Sequence, residues 1–226
     1  MKKQNKDNLK ELVVKQFEKY PQMEHGVNVL KAALSAIPFG GIFSSLISDY
    51  MPKTKMERLL KFIGKLGEDL ARFKREIDEK YIKTDKFSYL LEKTLKAVIE
   101  NYQEEKMACF RAILVNSLRN KSTSQERKEF FLNLVDNLTV TNLSILAKIH
   151  EISEKDKTSR MNFATIMAKT KGNGPLFIMA NMRALEQYNL IEITVPPIPA
   201  ADYGNYAIRY TRLGEEFLKF ISTPSI

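Results

Sequence analysis

The sequence predicts a mainly α protein: a helical bundle with long antiparallel helices in its N-terminal half, then a smaller unit that carries a two-stranded hairpin. Three observations predict it. Apolar residues recur at three- and four-residue spacing over most of 53–119. A polar stretch, Lys121-Ser122-Thr123-Ser124, interrupts that pattern. Beyond it, short amphipathic segments lead into two stretches that alternate apolar and polar residues, 190–195 and 206–210.

The N-terminal half reads as a bundle over 1–121. Leu9, Leu12, Val13 and Phe17 mark a short amphipathic helix over 7–19, and Pro21 and Gly26 follow it. Residues 27–50 are the most apolar part, with no charge in the 17 residues from Ala32 to Ser48. Pro38, Gly40 and Gly41 break this segment, so each half is shorter than the roughly 20 apolar residues a membrane span needs. Two short buried helices joined at the break are expected. The sharper reading is a membrane-active or partner-binding hairpin carried by Ile37, Phe39, Ile42, Phe43 and Leu46.

Met56, Leu59, Ile63, Leu66, Leu70, Phe73 and Ile77 follow 3-4 spacing and predict one long helix over 53–82. A second is expected over 85–119, capped by Thr84, with Phe87, Leu91, Leu95, Val98, Tyr102, Phe110, Ile113, Leu114 and Leu118 in its stripe. The link around Lys83–Asp85 is short, which favours antiparallel neighbours.

The second unit is expected over 122–226. A leading helix at 125–137 starts at a capping box, Ser122 with Gln125 or Thr123 with Glu126. Helices are expected at 141–153, 159–169 and 176–188, the last with Leu176, Ile178, Met179, Met182 and Leu185 as its apolar positions. Strands follow at 190–195 and 206–210, separated by the Pro-rich loop PPIPAADYGNY, and Thr211 caps a final helix ending at Ile221.

Two strings carry a family resemblance. Ala184-Leu185-Glu186-Gln187-Tyr188-Asn189-Leu190-Ile191 looks like the end of a third helix running directly into a first wing strand. Tyr210-Thr211-Arg212-Leu213-Gly214-Glu215-Glu216-Phe217-Leu218 is similar to the strand, capping threonine and glycine-containing helix that follow the wing in many bacterial regulators. In this order they resemble the winged helix-turn-helix superfamily over about 139–221. The resemblance implies that the third helix enters the DNA major groove while the wing touches backbone or minor groove. It assigns DNA or partner binding to Asn181, Arg183 and Gln187 on that helix, to Lys169 and Lys171 before it and to Arg209 beyond the wing. The wing loop departs from the pattern: it carries Asp202 and no Lys or Arg, a poor clamp for phosphate. Docking on a protein partner therefore stands beside DNA binding.

Charge bears on the same choice. Residues 1–121 hold 24 Lys/Arg against 16 Asp/Glu, whereas 122–226 hold 12 against 11. The positive excess that favours anionic partners lies on the bundle, not on the unit whose pattern suggests DNA.

Catalytic and metal chemistry find little support. The chain has two histidines, His25 and His150, and one cysteine, Cys109, so neither a Cys/His zinc site nor an internal disulfide is expected. There is no P-loop, GxGxxG, nucleophile elbow or HExxH, and no cofactor is implied. Cys109 beside Phe110 reads as a small buried hydrophobe, and His150 as a core or capping histidine. The basic start is not followed directly by an apolar stretch and so does not read as a secretory signal, which leaves a cytoplasmic protein as the expectation.

The expected role is a non-enzymatic bacterial-type regulator or adaptor. Its winged helix would bind DNA or a protein, and its bundle would serve self-association, as in a homodimer, or sensing. The alternative is a membrane-active effector of the mobile-element or phage-defence kind, using 32–48 and the basic bundle against an anionic membrane.

Overall fold

The computed structural model describes residues 52–155, 161–170, 174–195 and 204–223. The expected helices within 7–50, the hairpin residues Ile37, Phe39, Ile42, Phe43 and Leu46, residue Lys171 and most of the wing loop lie outside them. The described chain is mainly helical, with a small two-stranded antiparallel sheet near its C-terminus. It divides into two compact units at Asn133/Leu134, the first also taking in the chain from Ile221 onward.

In the first unit the expected helix over 53–82 is two helices. α1 runs Lys53–Arg72, a single 3-10 turn occupies Lys74–Glu76, and α2 runs Glu79–Ile82. The break needs no Gly or Pro. Ile77 is extended (ψ 131°), and Asp78 then restarts the helix by accepting from the backbone N–H groups of Lys80 and Tyr81. The Asp78 backbone N–H donates to the Leu118 carbonyl at 3.0 Å, which ties the corner to the end of a later helix. The second expected helix is also two: α3 (Asp85–Glu100), capped by Thr84 as anticipated, and α4 (Glu104–Arg119). Here Asn101 is extended, and its side-chain amide donates to the Ala97 carbonyl at 2.9 Å, closing α3. Tyr102, expected in the stripe, sits in this link with 75% of its surface exposed.

Ion pairs report the helix directions. Lys61 and Lys65 share Glu104, Arg111 pairs with Asp69 at 3.0 Å, and Arg119 pairs with Glu76. The partners keep a nearly constant sequence offset, so α1 and α4 run parallel. Lys55 at the start of α1 meets Glu100 at the end of α3 at 2.9 Å, so α3 runs against α1. The exposed pairs among these, all but the half-buried Arg111–Asp69, contribute about 0–1 kcal/mol each. Burial of Leu59, Phe62, Leu66, Leu91, Phe110 and Leu114 between these helices supplies most of the stabilisation. α5 (Gln125–Asn137) follows, and its cap is Ser124, not Ser122 or Thr123: the Arg127 backbone N–H donates to the Ser124 hydroxyl at 3.3 Å.

The second unit comprises α6 (Val140–Lys155), α7 (Phe163–Lys169), α8 (Pro175–Gln187), β1 (Ile191–Thr194), β2 (Ala207–Tyr210) and α9 (Arg212–Ile221). β1 and β2 pair antiparallel with Ile191 opposite Tyr210 and Ile193 opposite Ile208, which places all three isoleucines on the buried face. A short bridge, Asn162 to Ala207, attaches the residues before α7 to the free side of β2, held by Ile208 N–H to Met161 O and Phe163 N–H to Tyr206 O. Sequence alternation does not reveal it, because two residues are too few to show a period.

The two strings singled out in the sequence meet in space. α8 ends with Asn189 at φ 55°, a left-handed position that Asn tolerates. The Asn189 N–H donates to Glu186 O and the Leu190 N–H to Leu185 O, which completes the turn and throws the chain straight into β1. Thr211 then shares its hydroxyl proton between the Asn189 carbonyl at 2.7 Å and the Leu190 carbonyl at 3.0 Å, while its hydroxyl oxygen accepts from the Gly214 N–H at 2.9 Å as the cap of α9. Gly214 is required by close approach: a Cβ there would collide with the Leu190 carbonyl oxygen and lie 2.9 Å from Tyr210 Cε2.

Candidate functional site

α8 is the element to which the sequence assigned recognition, and its outward face differs from expectation. The buried side holds Ile178, Met179, Asn181, Met182 and Leu185. Asn181 is only 8% exposed. Its amide nitrogen donates to the Phe177 carbonyl at 2.8 Å, and its carbonyl groups accept from Asn142 at 2.9 and 3.0 Å. Asn142 in turn accepts from the Thr139 backbone N–H at 2.8 Å while its own N–H donates to the Thr139 hydroxyl, a reciprocal cap on α6. Asn181 is thus a fastener between α6 and α8. It has no free edge to offer a base, and its assignment as a reader is corrected. Periodicity cannot separate an inward Asn from an outward one when a polar partner waits inside.

Arg183 and Gln187 do point outward, with Arg183 paired to Glu186 at 2.6 Å. Glu186 is itself held by the Ile193 backbone N–H at 2.9 Å. Arg209 is exposed beside Glu192 at 3.7 Å, its cross-strand partner in the sheet. Lys169 is exposed at the end of α7, and its carbonyl accepts from the Lys148 ammonium at 2.6 Å. Both lysines border an open groove of about 490 Å³, together with Thr141, Ser144 and Thr170. The first turn of α8 is apolar: Leu176 is 70% exposed and Phe177 51%, with Ala180 exposed one turn on. Leu176, expected in the core, faces solvent instead. An α8 surface built from Leu176, Phe177, Ala180, Arg183 and Gln187 has an apolar end where a groove-reading helix places its base-contacting residues.

A second surface was only partly legible. Residues 52–121 hold 17 Lys/Arg. Most are engaged, by carboxylates or, for Arg58, by the Ile99 carbonyl at 2.8 Å. Six that make no ion pair among the described residues fall between 72 and 86: Arg72, Lys74, Arg75, Lys80, Lys83 and Lys86, all exposed. They line the corner from the end of α1 through α2 to the first turn of α3. Two of the four acids there are occupied. Glu76 is taken by Arg119, and Asp78 caps α2 and meets Lys121 at 3.4 Å. The Tyr81 backbone N–H above all, with Lys121, holds the Asp78 carboxyl below the usual carboxylate range. Glu79 and Asp85 are exposed. Behind the corner, Lys128 of α5 is 4% exposed, with its ammonium 4.0 Å from the centre of the Tyr81 ring and 3.0 Å from the Ser117 carbonyl. Desolvation keeps this ammonium below the ordinary lysine value. Total charge placed the excess on the bundle, but only pairing shows where it is unneutralised.

The remaining reactive groups, Cys109, His150 and Tyr210, are each at least partly buried. Burial pushes the Cys109 thiol up to about 11. Near pH 8 little thiolate forms, so alkylation by iodoacetamide should be slow in the folded protein and accelerate on unfolding. Labelling as fast as a free cysteine's would show that the thiol is not shielded. The His150 ring lies 5.3 Å from the Tyr210 ring, and burial holds the Tyr210 phenol well above its usual value. Among the described residues no group of three or more His, Cys, Asp or Glu could hold a metal ion, and no single helix is long and apolar enough to cross a membrane. No family model, curated protein or solved structure matches the chain.

Proposed function

We propose that the protein is a non-enzymatic regulator or adaptor whose C-terminal unit is a winged helix that docks a protein through the first turns of α8. Supporting the winged-helix part is the order α6, the 161–162 bridge, α7, α8, β1, β2, with β2 lying between β1 and the bridging residues. The observation that carries the protein-docking part is the exposure of Leu176 and Phe177 at the start of α8, while Asn181 turns inward. Exposed aromatic and aliphatic side chains at the end of a rigid helix suit the centre of a protein interface better than a phosphate-lined groove.

A photoreactive phenylalanine analogue at Leu176, placed in the native cell, tests the reading. The expected result is a covalent adduct with a protein that disappears when Phe177→Asp is added. An adduct with nucleic acid instead, or no adduct, overturns it. DNA reading by the same helix is the second possibility, favoured by exposed Arg183 and Gln187. It requires that Arg183→Ala with Gln187→Ala weaken duplex binding.

A further inference from the structure

The corner of the bundle between α1 and α3 has a consequence for the kind of partner this half of the protein meets. Six cations without ion pairs among the described residues occur within fifteen residues, on two helix ends and a short helix between them. Like charges so close together repel one another and destabilise the folded chain unless an anion offsets them. The corner that carries them is firmly mounted. Asp78 caps α2 and hydrogen-bonds to the end of α4, and Lys128 packs its ammonium against Tyr81 from behind. Elsewhere in 52–121 most lysines and arginines meet a carboxylate, Lys61 and Lys65 sharing Glu104, while Arg58 donates to the Ile99 carbonyl and Lys93 lies over the Tyr89 ring.

We infer that this corner binds the phosphodiester backbone of nucleic acid without reading its sequence. Arg72, Lys74, Arg75, Lys80, Lys83 and Lys86 supply the charge, four of them lysines, which act on phosphate as mobile point charges. Sequence reading needs a helix or strand laid into a groove with planar donors facing base edges. A corner of helix ends presents none. An anionic membrane surface fits less well. Such surfaces are held by charge together with apolar side chains that enter the headgroup region. Of the large apolar residues of this corner, Phe73 and Ile82 are 3% and 2% exposed, and Ile77 and Tyr81 are half-buried, Tyr81 with its hydroxyl donating to Gln125, so none stands free to enter a headgroup region.

The experiment is a salt titration of the full chain on a duplex DNA of arbitrary sequence and on the same sequence as duplex RNA. Vesicles containing phosphatidylserine form a parallel arm. The wild type should bind at least one duplex at low salt, with log affinity falling by about 0.9 per log unit of salt for each phosphate neutralised on DNA. The variant Lys74→Gln/Lys80→Gln/Lys83→Gln, all at exposed positions, should lower that slope by about 2–3 and weaken low-salt binding about tenfold or more. Its melting temperature, read alongside, should be no lower than that of the wild type, because removing like charges relieves their repulsion. The variant Arg183→Ala/Gln187→Ala is titrated beside it, so that loss of binding through α8 is told apart from loss through the corner. The two duplex arms separate a preference for DNA from one for RNA. The inference is overturned if neither duplex binds at low salt, if the triple variant keeps the wild-type slope, if only the α8 variant loses binding, or if vesicles bind while both duplexes do not.

Discussion

Gly214→Ala should lower the stability of the second unit by about 2 kcal/mol, although alanine is the better helix former. In an unhindered helix the change would stabilise by about 1 kcal/mol. At this position the added methyl meets the Leu190 carbonyl oxygen, which is backbone, and the Tyr210 ring at 2.9 Å. Overpacking of this kind costs about 3 kcal/mol, and a main-chain oxygen at the start of β1 cannot rotate away. Leu190 is further fixed by Thr211, whose backbone N–H and hydroxyl both donate to its carbonyl. Urea unfolding of the purified variant is the measurement. A midpoint equal to or above that of the wild type would mean that α9 does not press on the β1 entrance.

Asn142→Leu is the second large effect, at about 3 kcal/mol. The substitution removes the donor to the Asn181 backbone carbonyl and side chain and the acceptor for the Thr139 backbone N–H, in a place where Asn142 is 3% exposed. Leucine fills the volume but leaves those groups without partners, and each buried orphan costs about 1–3 kcal/mol. Asn181→Ala should destabilise less, about 1–2 kcal/mol, because Asn142 keeps its bond to the Asn181 main-chain carbonyl. If Asn181→Ala instead leaves stability untouched and abolishes binding to a duplex, the amide is a reader after all, and the fastening role is wrong.

These two variants mark where sequence patterns were informative and where they misled. The strings around Asn189–Leu190 and Thr211–Gly214 were read as a family resemblance, and their spacing has a local cause. A left-handed Asn, a capping Thr and a missing Cβ close one helix end over another. Sequence alone places Asn181 on the surface because it is polar in an amphipathic helix. Its partner Asn142 lies 39 residues away, and nothing in either neighbourhood announces the other. The breaks at Phe73–Asp78 and Asn101–Gln103 were missed for a related reason. The apolar spacing resumes after each break, so one stripe reads as continuous while the chain turns. The same spacing puts Leu176 among the apolar positions of α8, yet it is exposed, since periodicity marks a face without saying what covers it.

By itself the sequence determined the helical character of the described chain, two of its caps (Thr84 and Thr211), the two strands with their alternation, and the half of the chain that carries the positive excess. These are local properties: side-chain period, turn chemistry and composition act within a few residues. Only the tertiary structure decided which charges and amides are free. Whether a lysine is neutralised, or an asparagine is consumed inside, depends on a partner roughly 40 residues away, as Lys61 with Glu104 and Asn142 with Asn181 show. That pairing leaves an apolar turn on α8 and an unneutralised basic corner between α1 and α3, because hydrogen bonding and charge neutralisation are satisfied across space and not along the chain.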